Sequence, residues 1–425
     1  MKLAINFFKL YFKSNIIILF TFIITVIVLM SSLNLFLSIF LNEIETNHAT
    51  LVFIIIPSVT ALMAIILTIR IIKMNFKVRE KTLINLRIIG ISHNQIYKAL
   101  LLEFLSLMAI AIIIGFGFNI IATNWIIKLF TSHNVIGPEY KIVNYFALLI
   151  PFTIVASLFL MKVFDSATSN LKNISMSNLN LTLEKFKKKH IFTIIIGLIF
   201  LASYITLIIF FDEVVLYLFG GIFFFIAMQC LGKYILFSIW WVMSKIFSKV
   251  LFLKLIFNRL KENTNKNFEI FLLIIITYSF LNFGVNSLVP TANDTIYNAD
   301  PLNEIYYYSL LDASVVLAVF ISLYSIILIF NNLYLYFEDQ ISSNNNLYRI
   351  GLEKWKICLT LLVESLFILI LEYLFGFIPS LFQAVIWKHS FIVNDYNFWL
   401  ILSLVTMSIN IIIPCLFFNR IKNKS

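Results

Sequence analysis

The sequence predicts an all-α integral membrane protein, and its composition and the length of its apolar segments both point to that class. The chain has 425 residues, of which 61% are hydrophobic and 12% are charged, and its mean hydropathy is +0.97. Water-soluble domains carry about twice that share of charged residues. Apolar stretches of about 20 residues, the length that crosses a hydrocarbon core of about 30 Å, recur along the whole chain.

Ten of these stretches predict ten transmembrane helices. The predicted spans cover residues 15–41, 51–72, 97–129, 142–164, 191–211, 214–238, 268–290, 311–335, 357–387 and 396–418. The spans group as four, two and four. We therefore expect a first four-helix unit at residues 1–164, a linker with a central helix pair at 165–249, and a second four-helix unit at 250–425.

The distribution of lysine and arginine predicts the orientation. Basic residues cluster in alternate connecting segments, at 2–13, 70–98, 162–189, 233–266, 349–356 and 420–424. Cytoplasmic loops retain positive charge, so these segments are placed inside, against anionic membrane lipids. We expect a multi-pass protein of a bacterial cytoplasmic membrane with both termini in the cytoplasm. The net charge of +11 then needs no nucleic acid partner.

One segment occurs twice in the chain, 261 positions apart. Residues 85–116 align without a gap with residues 346–377 at 11 identical positions. The aligned pairs that are least expected by chance are Gly90 with Gly351, Glu103 with Glu364 and Gly115 with Gly376. A shorter match of Leu, Asn and Lys relates residues 3–9 to residues 255–261. A duplicated membrane unit of this kind predicts a transporter half repeated within one polypeptide.

The hairpin between predicted spans two and three is the best candidate for a functional site. Gly90 is expected to end a short helix, and Ser92 is expected to cap the next one. The result would be a short amphipathic helix that leads into a long membrane helix and carries movement from a cytoplasmic partner. The candidate contact residues are Arg79, Arg87, Ile88, Ile89, Gly90, Ser92 and Gln95, with Arg349 and Gly351 in the second copy.

Several residues inside the predicted spans are candidates for coupling or structural roles. Glu372 lies near the middle of span nine. Glu103 and Glu364 lie one to two turns from the inner boundary, and neither has an evident Lys or Arg partner in the membrane. Ionisable groups within a membrane are costly and often functional. Glu103 and Glu364 could equally anchor helix ends. Gly115 and Gly376 are expected to permit close helix packing.

The hairpin resembles the FtsX-like family of ABC transporter permeases, which have the MacB-type fold. That family shows a basic stretch, a Leu-Arg-x-x-Gly-x-Ser pattern and a glutamate in the next membrane helix, which here fall at Arg79, residues 86–92 and Glu103. The second copy keeps Gly351 but has glutamate in place of the serine. The order of spans is similar to that of BceB-like antimicrobial-peptide permeases, without their large extracellular domain.

The resemblance implies two four-helix FtsX-like repeats that flank a two-helix insert. It also implies a permease subunit that is not itself an enzyme and binds no cofactor. The histidines and cysteines are scattered along the sequence, so no metal site is expected. The chain lacks the Gly-x4-Gly-Lys-Ser/Thr motif, so ATP would be bound by a separate ABC ATP-binding protein, in two copies per permease. The implied substrate is an amphiphile: an antimicrobial peptide or bacteriocin, in export, resistance or immunity, or a lipid.

Two other functions stay open at this point. A protein of this family could transmit a mechanical signal as a membrane scaffold without transporting anything. An ion-coupled secondary transporter would use the membrane glutamates to carry protons or sodium ions. A membrane enzyme is disfavoured, because no nucleophile–base–acid or paired-carboxylate pattern occurs in the sequence.

Overall fold

The computed structural model is helical throughout the part of the chain that it describes. It describes residues 7–8, 10–39, 41–42, 82–137, 139–172, 183–210, 214–264, 301–349 and 351–387, with scattered residues within 58–79, 267–275 and 405–415. Every regular element in these ranges is a helix. The predicted fold class, an all-α membrane protein, is confirmed.

Eight long helices are bounded within the described ranges. They are α1 (Phe12–Ile39), α2 (His93–Ser132), α3 (Tyr145–Lys172), α4 (Leu183–Phe210), α5 (Val214–Ile246), α6 (Leu251–Glu262), α7 (Pro301–Arg349) and α8 (Lys354–Trp387). A helix rises about 1.5 Å per residue, so the 40 residues of α2 extend for about 60 Å, which is about twice the thickness of a hydrocarbon core.

Six helices in the described part are long and apolar enough to cross a membrane. They are Ser14–Ser38, His93–Ser132, Tyr145–Asp165, Ile191–Phe210, Ile222–Ile246 and Lys354–Phe375. These correspond to predicted spans one, three, four, five, six and nine, although the sixth runs on to Ile246 rather than ending at 238. Predicted span eight falls within α7. Spans two, seven and ten lie largely outside the described residues, so the total of ten stays a prediction.

The chain divides into two compact units. Unit 1 comprises Met1–Ser177 and Ser287–Ile327, and unit 2 comprises Asn178–Asn286 and Leu328–Ser425. The first part of the long helix α7 thus belongs to unit 1 and its second part to unit 2. The predicted three-part division, at residues 164 and 249, stays a prediction.

In unit 1, α1 and α3 both pack against α2. Three aromatic rings form the centre of this packing: Phe76 and Phe164 each lie within 6 Å of Phe104, with ring centroids 5.7 and 5.8 Å apart. After the end of α2, His133 places its Nδ1 2.9 Å from the Asp312 carboxylate on α7 and stacks on Tyr308. These polar contacts fix the first part of α7 to the end of α2.

In unit 2, α5 packs against both α4 and α6, and α8 packs against α6. The side chain of Phe257 on α6 is fully buried and contacts the rings of Trp240, Phe247 and Phe367. The short helix α6 therefore buries one face in the unit. The opposite face exposes Leu251, which is 81% accessible.

Candidate functional site

The predicted first hairpin closes with a turn that requires glycine. Gly90 has φ = +98°, a left-handed conformation that other residues adopt only at a cost. The Ile91 N–H donates to the Leu86 carbonyl and the Gly90 N–H donates to the Arg87 carbonyl, both at 3.1 Å. This pair of bonds is the Schellman motif that satisfies the last carbonyls of a helix. The helix end predicted at Gly90 is confirmed, and its role as a contact residue stays a prediction.

Ser92 caps α2 immediately after this turn. The Gln95 N–H donates to the Ser92 hydroxyl oxygen, and the Ser92 N–H donates to the Gln95 side-chain oxygen, both at 3.3 Å. This reciprocal pair is a capping box, which satisfies two backbone donors at the start of a helix. The predicted cap is confirmed, and Gln95, which was predicted as a contact residue, also takes part in it.

The tip of the first hairpin is apolar and exposed. Ile88 and Ile89 are 67% and 77% accessible, whereas Leu83, one to two turns earlier, is buried. Arg87 is partly buried. The Schellman motif and the capping box fix the backbone on the C-terminal side of the two isoleucines. The tip is therefore an apolar projection at a hydrogen-bonded turn.

The second hairpin repeats the same backbone turn. Gly351 has φ = +104°, and the Leu352 N–H donates to the Leu347 carbonyl while the Gly351 N–H donates to the Tyr348 carbonyl, both at 3.1 Å. The glycine alignment found in the sequence therefore corresponds to one shared turn geometry. Arg349, the predicted contact residue beside it, is exposed.

The side chains around the second turn differ from those around the first. Glu353 stands where the first hairpin has Ser92, and its carboxylate lies 3.2 Å from the Lys356 ammonium and accepts from the Trp355 indole N–H at 2.5 Å. The hydrogen bond from Lys356 lowers the pKa of Glu353 below its usual value. Lys354 lies over the Tyr348 ring, 5.3 Å from its centroid. The second tip is charged and aromatic, and the first is aliphatic.

Behind the first hairpin, a buried ion pair joins three helical segments. The Arg79 Nη1 lies 2.8 Å from the Glu103 Oε2, and these residues are only 1% and 2% exposed. The side chain of Asn15 on α1 completes the cluster. Its Oδ1 accepts from Arg79 Nη2 at 2.6 Å, and its Nδ2 donates to Glu103 Oε1 at 2.5 Å. The Arg79 guanidinium also lies 4.3 Å from the Tyr11 ring centroid.

This cluster corrects two expectations. The sequence shows no evident cationic partner for Glu103 in the membrane, but Arg79 reaches it from 24 positions earlier in the chain because both side chains point into unit 1. Arg79 was expected among the exposed contact residues of the hairpin, but its side chain is buried away from the tip. An unpaired buried guanidinium or carboxylate would be strongly destabilising, and the two compensate each other.

Unit 2 contains an equivalent ion pair with a different origin. The Glu364 carboxylate is fully buried, and its Oε1 lies 3.2 Å from the Arg259 Nε on α6. Arg259 Nη2 donates to the side-chain oxygens of Gln340 and, at 2.7 Å, Asn344. The Tyr336 hydroxyl lies 3.5 Å from Glu364 Oε2. Glu364 thus also has the cationic partner that the sequence had not revealed.

The alignment of the two copies shows that Arg79 and Arg259 do not occupy equivalent positions. Glu364 occupies the position of Glu103, but Gln340 occupies the position of Arg79. The match between residues 3–9 and 255–261 instead places Arg259 opposite Phe7. The two units thus keep a buried arginine–glutamate pair while taking the arginine from different helices. The loss of the arginine at position 340, together with the arginine at position 259 in the other matched segment, could have pointed to Arg259 from the sequence.

The remaining predicted residues have structural surroundings or lie outside the described part. A Cβ added to Gly115 would lie 2.7 Å from Val26, so this glycine allows α1 and α2 to approach closely, as predicted. Gly376 and Glu372 belong to α8, but their surroundings fall outside the described residues. No cluster of metal-ligating residues occurs in the part of the chain that the structure describes.

The six long apolar helices and the two buried ion pairs define a multi-pass membrane protein built around a repeated hairpin. Residues 54–164 match the family model of the FtsX-like permease C-terminal domain. The resemblance read from the first hairpin is confirmed over this segment, which contains both that hairpin and the Arg79–Glu103 pair. None of the curated proteins compared with the chain matches it.

The FtsX-like match assigns a coarse role to this part of the chain. The family comprises membrane components of ABC-type transport systems, which typically work with a separate ATP-binding protein and are generally not catalytic themselves. A permease component is therefore the class that the matched segment supports. The BceB-like layout stays a prediction, as does the FtsX-like character of the second unit.

Proposed function

We propose that this protein is the permease subunit of an ABC transporter and that its first hairpin binds a separate ATP-binding protein. The observation that carries the proposal is the exposed Ile88–Ile89 tip, held on a fixed turn at the start of α2. The residues that follow, at 92–95, are Ser, His, Asn and Gln, so the tip lies at a polar boundary. Exposed aliphatic side chains at such a boundary mark a protein contact.

The buried ion pair gives this contact a way to act on the membrane helices. Arg79 precedes the hairpin and Glu103 lies three turns into α2, so their bond joins the two arms of the hairpin. Asn15 bonds to both and adds α1 to the same cluster. A force on the tip is therefore transmitted to α1 and α2 together, as a rigid-body movement.

The first of these pairs weighs against ion-coupled transport through Glu103. A proton- or sodium-carrying carboxylate alternates between occupied and free states, whereas Glu103 is held by a hydrogen-bonded ion pair with Arg79. Protonation of Glu103 would leave the Arg79 guanidinium buried without its counter-charge, which is costly. This favours a structural and coupling role for Glu103 over the ion-coupled alternative.

The substrate we propose is an amphiphile taken from the bilayer, such as an antimicrobial peptide, a bacteriocin or a lipid, that the complex exports or extracts. The helices α3 and α4 expose long apolar faces, including Phe146, Ile150 and Ile199, which suit contact with hydrocarbon chains. The two hairpins share one turn geometry, which supports binding of two ATPase copies by one permease. ATP is then bound only by those partner subunits.

The test is the intact mass of the tagged protein purified in mild detergent from its native cells. We expect the wild type to retain two copies of an ATP-binding protein and the Ile89→Asp variant to lose at least one. A buried anchor at an interface contributes at least about 2 kcal/mol, or roughly 30-fold in affinity. Leu251→Asp is the matched control, since it replaces an equally exposed aliphatic side chain on α6.

The outcomes separate the two parts of the proposal. A wild-type protein that purifies without any ATP-binding subunit would overturn the assignment as an ABC permease and favour a scaffold. A complex that survives in Ile89→Asp would leave the permease assignment standing and show that the partner binds elsewhere than at the tip.

A further inference from the structure

An apolar cavity of about 410 Å³ lies within unit 1, between α1, α3 and the helical residues around Thr68. Its volume falls within the range of about 300–1,000 Å³ that is usual for ligand sites. Sixteen residues line it, and the only hydroxyl groups among these described residues belong to Thr25 and Thr68. The rest of the wall is hydrocarbon, and much of it comes from Phe22, Leu29, Phe152 and Phe159.

The cavity is elongated along the helices. Its wall on α1 runs from Phe22 to Leu37, which is a rise of about 22 Å at 1.5 Å per residue. On α3 it runs from Leu148 to Phe159, or about 16 Å. One half of a hydrocarbon core is about 15 Å thick. A long, narrow apolar space of this length fits an extended linear chain better than a compact ring.

Thr68 gives the cavity a polar feature that no described residue uses. Its side chain is 95% buried, and its hydroxyl has no hydrogen-bond partner among the described residues. The other lining hydroxyl, on Thr25, donates to the Thr21 carbonyl at 2.8 Å. A buried hydroxyl without a partner is destabilising, so an occupant that accepts its hydrogen bond is favoured over an empty space.

We propose that this cavity binds one acyl chain of a membrane phospholipid, with the hydrocarbon along α1 and α3 and the ester carbonyl accepting from the Thr68 hydroxyl. An empty apolar cavity loses dispersion contacts along its whole wall, and the bilayer supplies acyl chains at the highest concentration of any amphiphile. The occupant therefore matches both features of the wall, because its hydrocarbon chain contacts the apolar residues and its carbonyl accepts from the Thr68 hydroxyl. A role of this lipid in the transport cycle rests on the proposed function. The binding of the lipid in the cavity does not.

The test uses the full-length protein in phospholipid vesicles without any ATPase, so it is independent of hairpin coupling. The vesicles contain a small fraction of a phosphatidylcholine whose acyl chain carries a photoactivatable diazirine. We expect cross-links at the residues of α1 and α3 that line the cavity, such as Leu29, Phe152 and Phe159. In Ala156→Phe they fall by about tenfold, because the added ring occupies the cavity. Ala147→Phe is the matched control, since nine residues separate the two positions and place them on opposite faces of α3.

Thr68 is tested by its selectivity rather than by the amount of cross-linking. The wild type is expected to prefer the ester-linked lipid over an ether-linked analogue that lacks the carbonyl, and Thr68→Val is expected to lose this preference while retaining the cross-linked positions. Equal cross-linking of all variants, or cross-links confined to exposed residues such as Ile150 and Ile154, would overturn the proposal. Protection by an N-acylated peptide but not by excess ester lipid would also overturn the assignment to phospholipid.

Discussion

Replacing Arg79 by Gln should destabilise unit 1, and a second substitution should restore its stability. The first substitution leaves the Glu103 carboxylate, which is 2% exposed, without its cation. Loss of one partner from a buried ion pair costs about 3–5 kcal/mol. A domain of about 150–250 residues loses about 2–4 °C in Tm per kcal/mol. The expected decrease is therefore about 10 °C.

The restoring substitution is Phe7→Arg, which copies the arrangement of unit 2. In unit 2, Gln340 stands at the position of Arg79, and Arg259 stands at the position of Phe7. Phe7 is 5% exposed and its ring lies 6.4 Å from Tyr11, the residue over which the Arg79 guanidinium lies. Since Arg259 reaches Glu364 from the equivalent position in unit 2, we expect an arginine at position 7 to reach Glu103. We expect the double variant to recover at least half of the lost Tm.

The assay is thermal unfolding of the purified protein in detergent, with loss of monodisperse protein as the signal. Phe7→Arg alone should also lower Tm, because it places two cations beside one carboxylate. Lys356→Gln is a control, since it removes an exposed ion pair, and exposed pairs contribute little. An unchanged Tm in Arg79→Gln, or a double variant that is no more stable than Arg79→Gln, would refute the reasoning.

Two further predictions concern glycines. Gly115→Ala should lower Tm, because its Cβ would lie 2.7 Å from Val26 on α1 and overpacking costs about 1–3 kcal/mol. Gly117→Ala is the control and should leave Tm unchanged, because Gly117 has open space around it. Equal Tm values for the two variants would contradict the close packing of α1 and α2. Gly90→Ala should increase amide hydrogen exchange at residues 85–92, because a non-glycine residue at φ = +98° is disfavoured by about 1–2 kcal/mol. Gly137→Ala is the control, since Gly137 also lies in open space but has no positive φ. If amide exchange at residues 85–92 is as slow in Gly90→Ala as in Gly137→Ala, the turn does not depend on glycine.

The local geometry of the hairpins could be predicted from the sequence because it depends on neighbouring residues. A glycine that ends one helix and a serine two positions later that caps the next specify their own hydrogen bonds within a few residues. The structure shows these bonds at Gly90 and Ser92, and the turn recurs at Gly351. The repeat at 261 positions also identified Glu103 and Glu364 as equivalent residues.

The partners of these glutamates could not be predicted in the same way. Arg79 reaches Glu103 across 24 positions, and Arg259 reaches Glu364 across 105 positions, so no local pattern joins them. The basic residues of the connecting segments were assigned to the membrane surface by their charge alone. The structure shows that Arg79 instead turns inward, because a buried carboxylate and the Asn15 amide compensate its charge.

The sequence by itself determined the membrane class, the α-helical fold and the turn chemistry of both hairpins, because hydropathy, segment length and glycine or capping residues act locally. Only the tertiary structure decided which charges are buried together, where Gly115 brings two helices into contact, and that a cavity lies between α1 and α3. Those features depend on side chains that are distant in the chain. Their mutual distances are set by helix packing and are not encoded in any single segment.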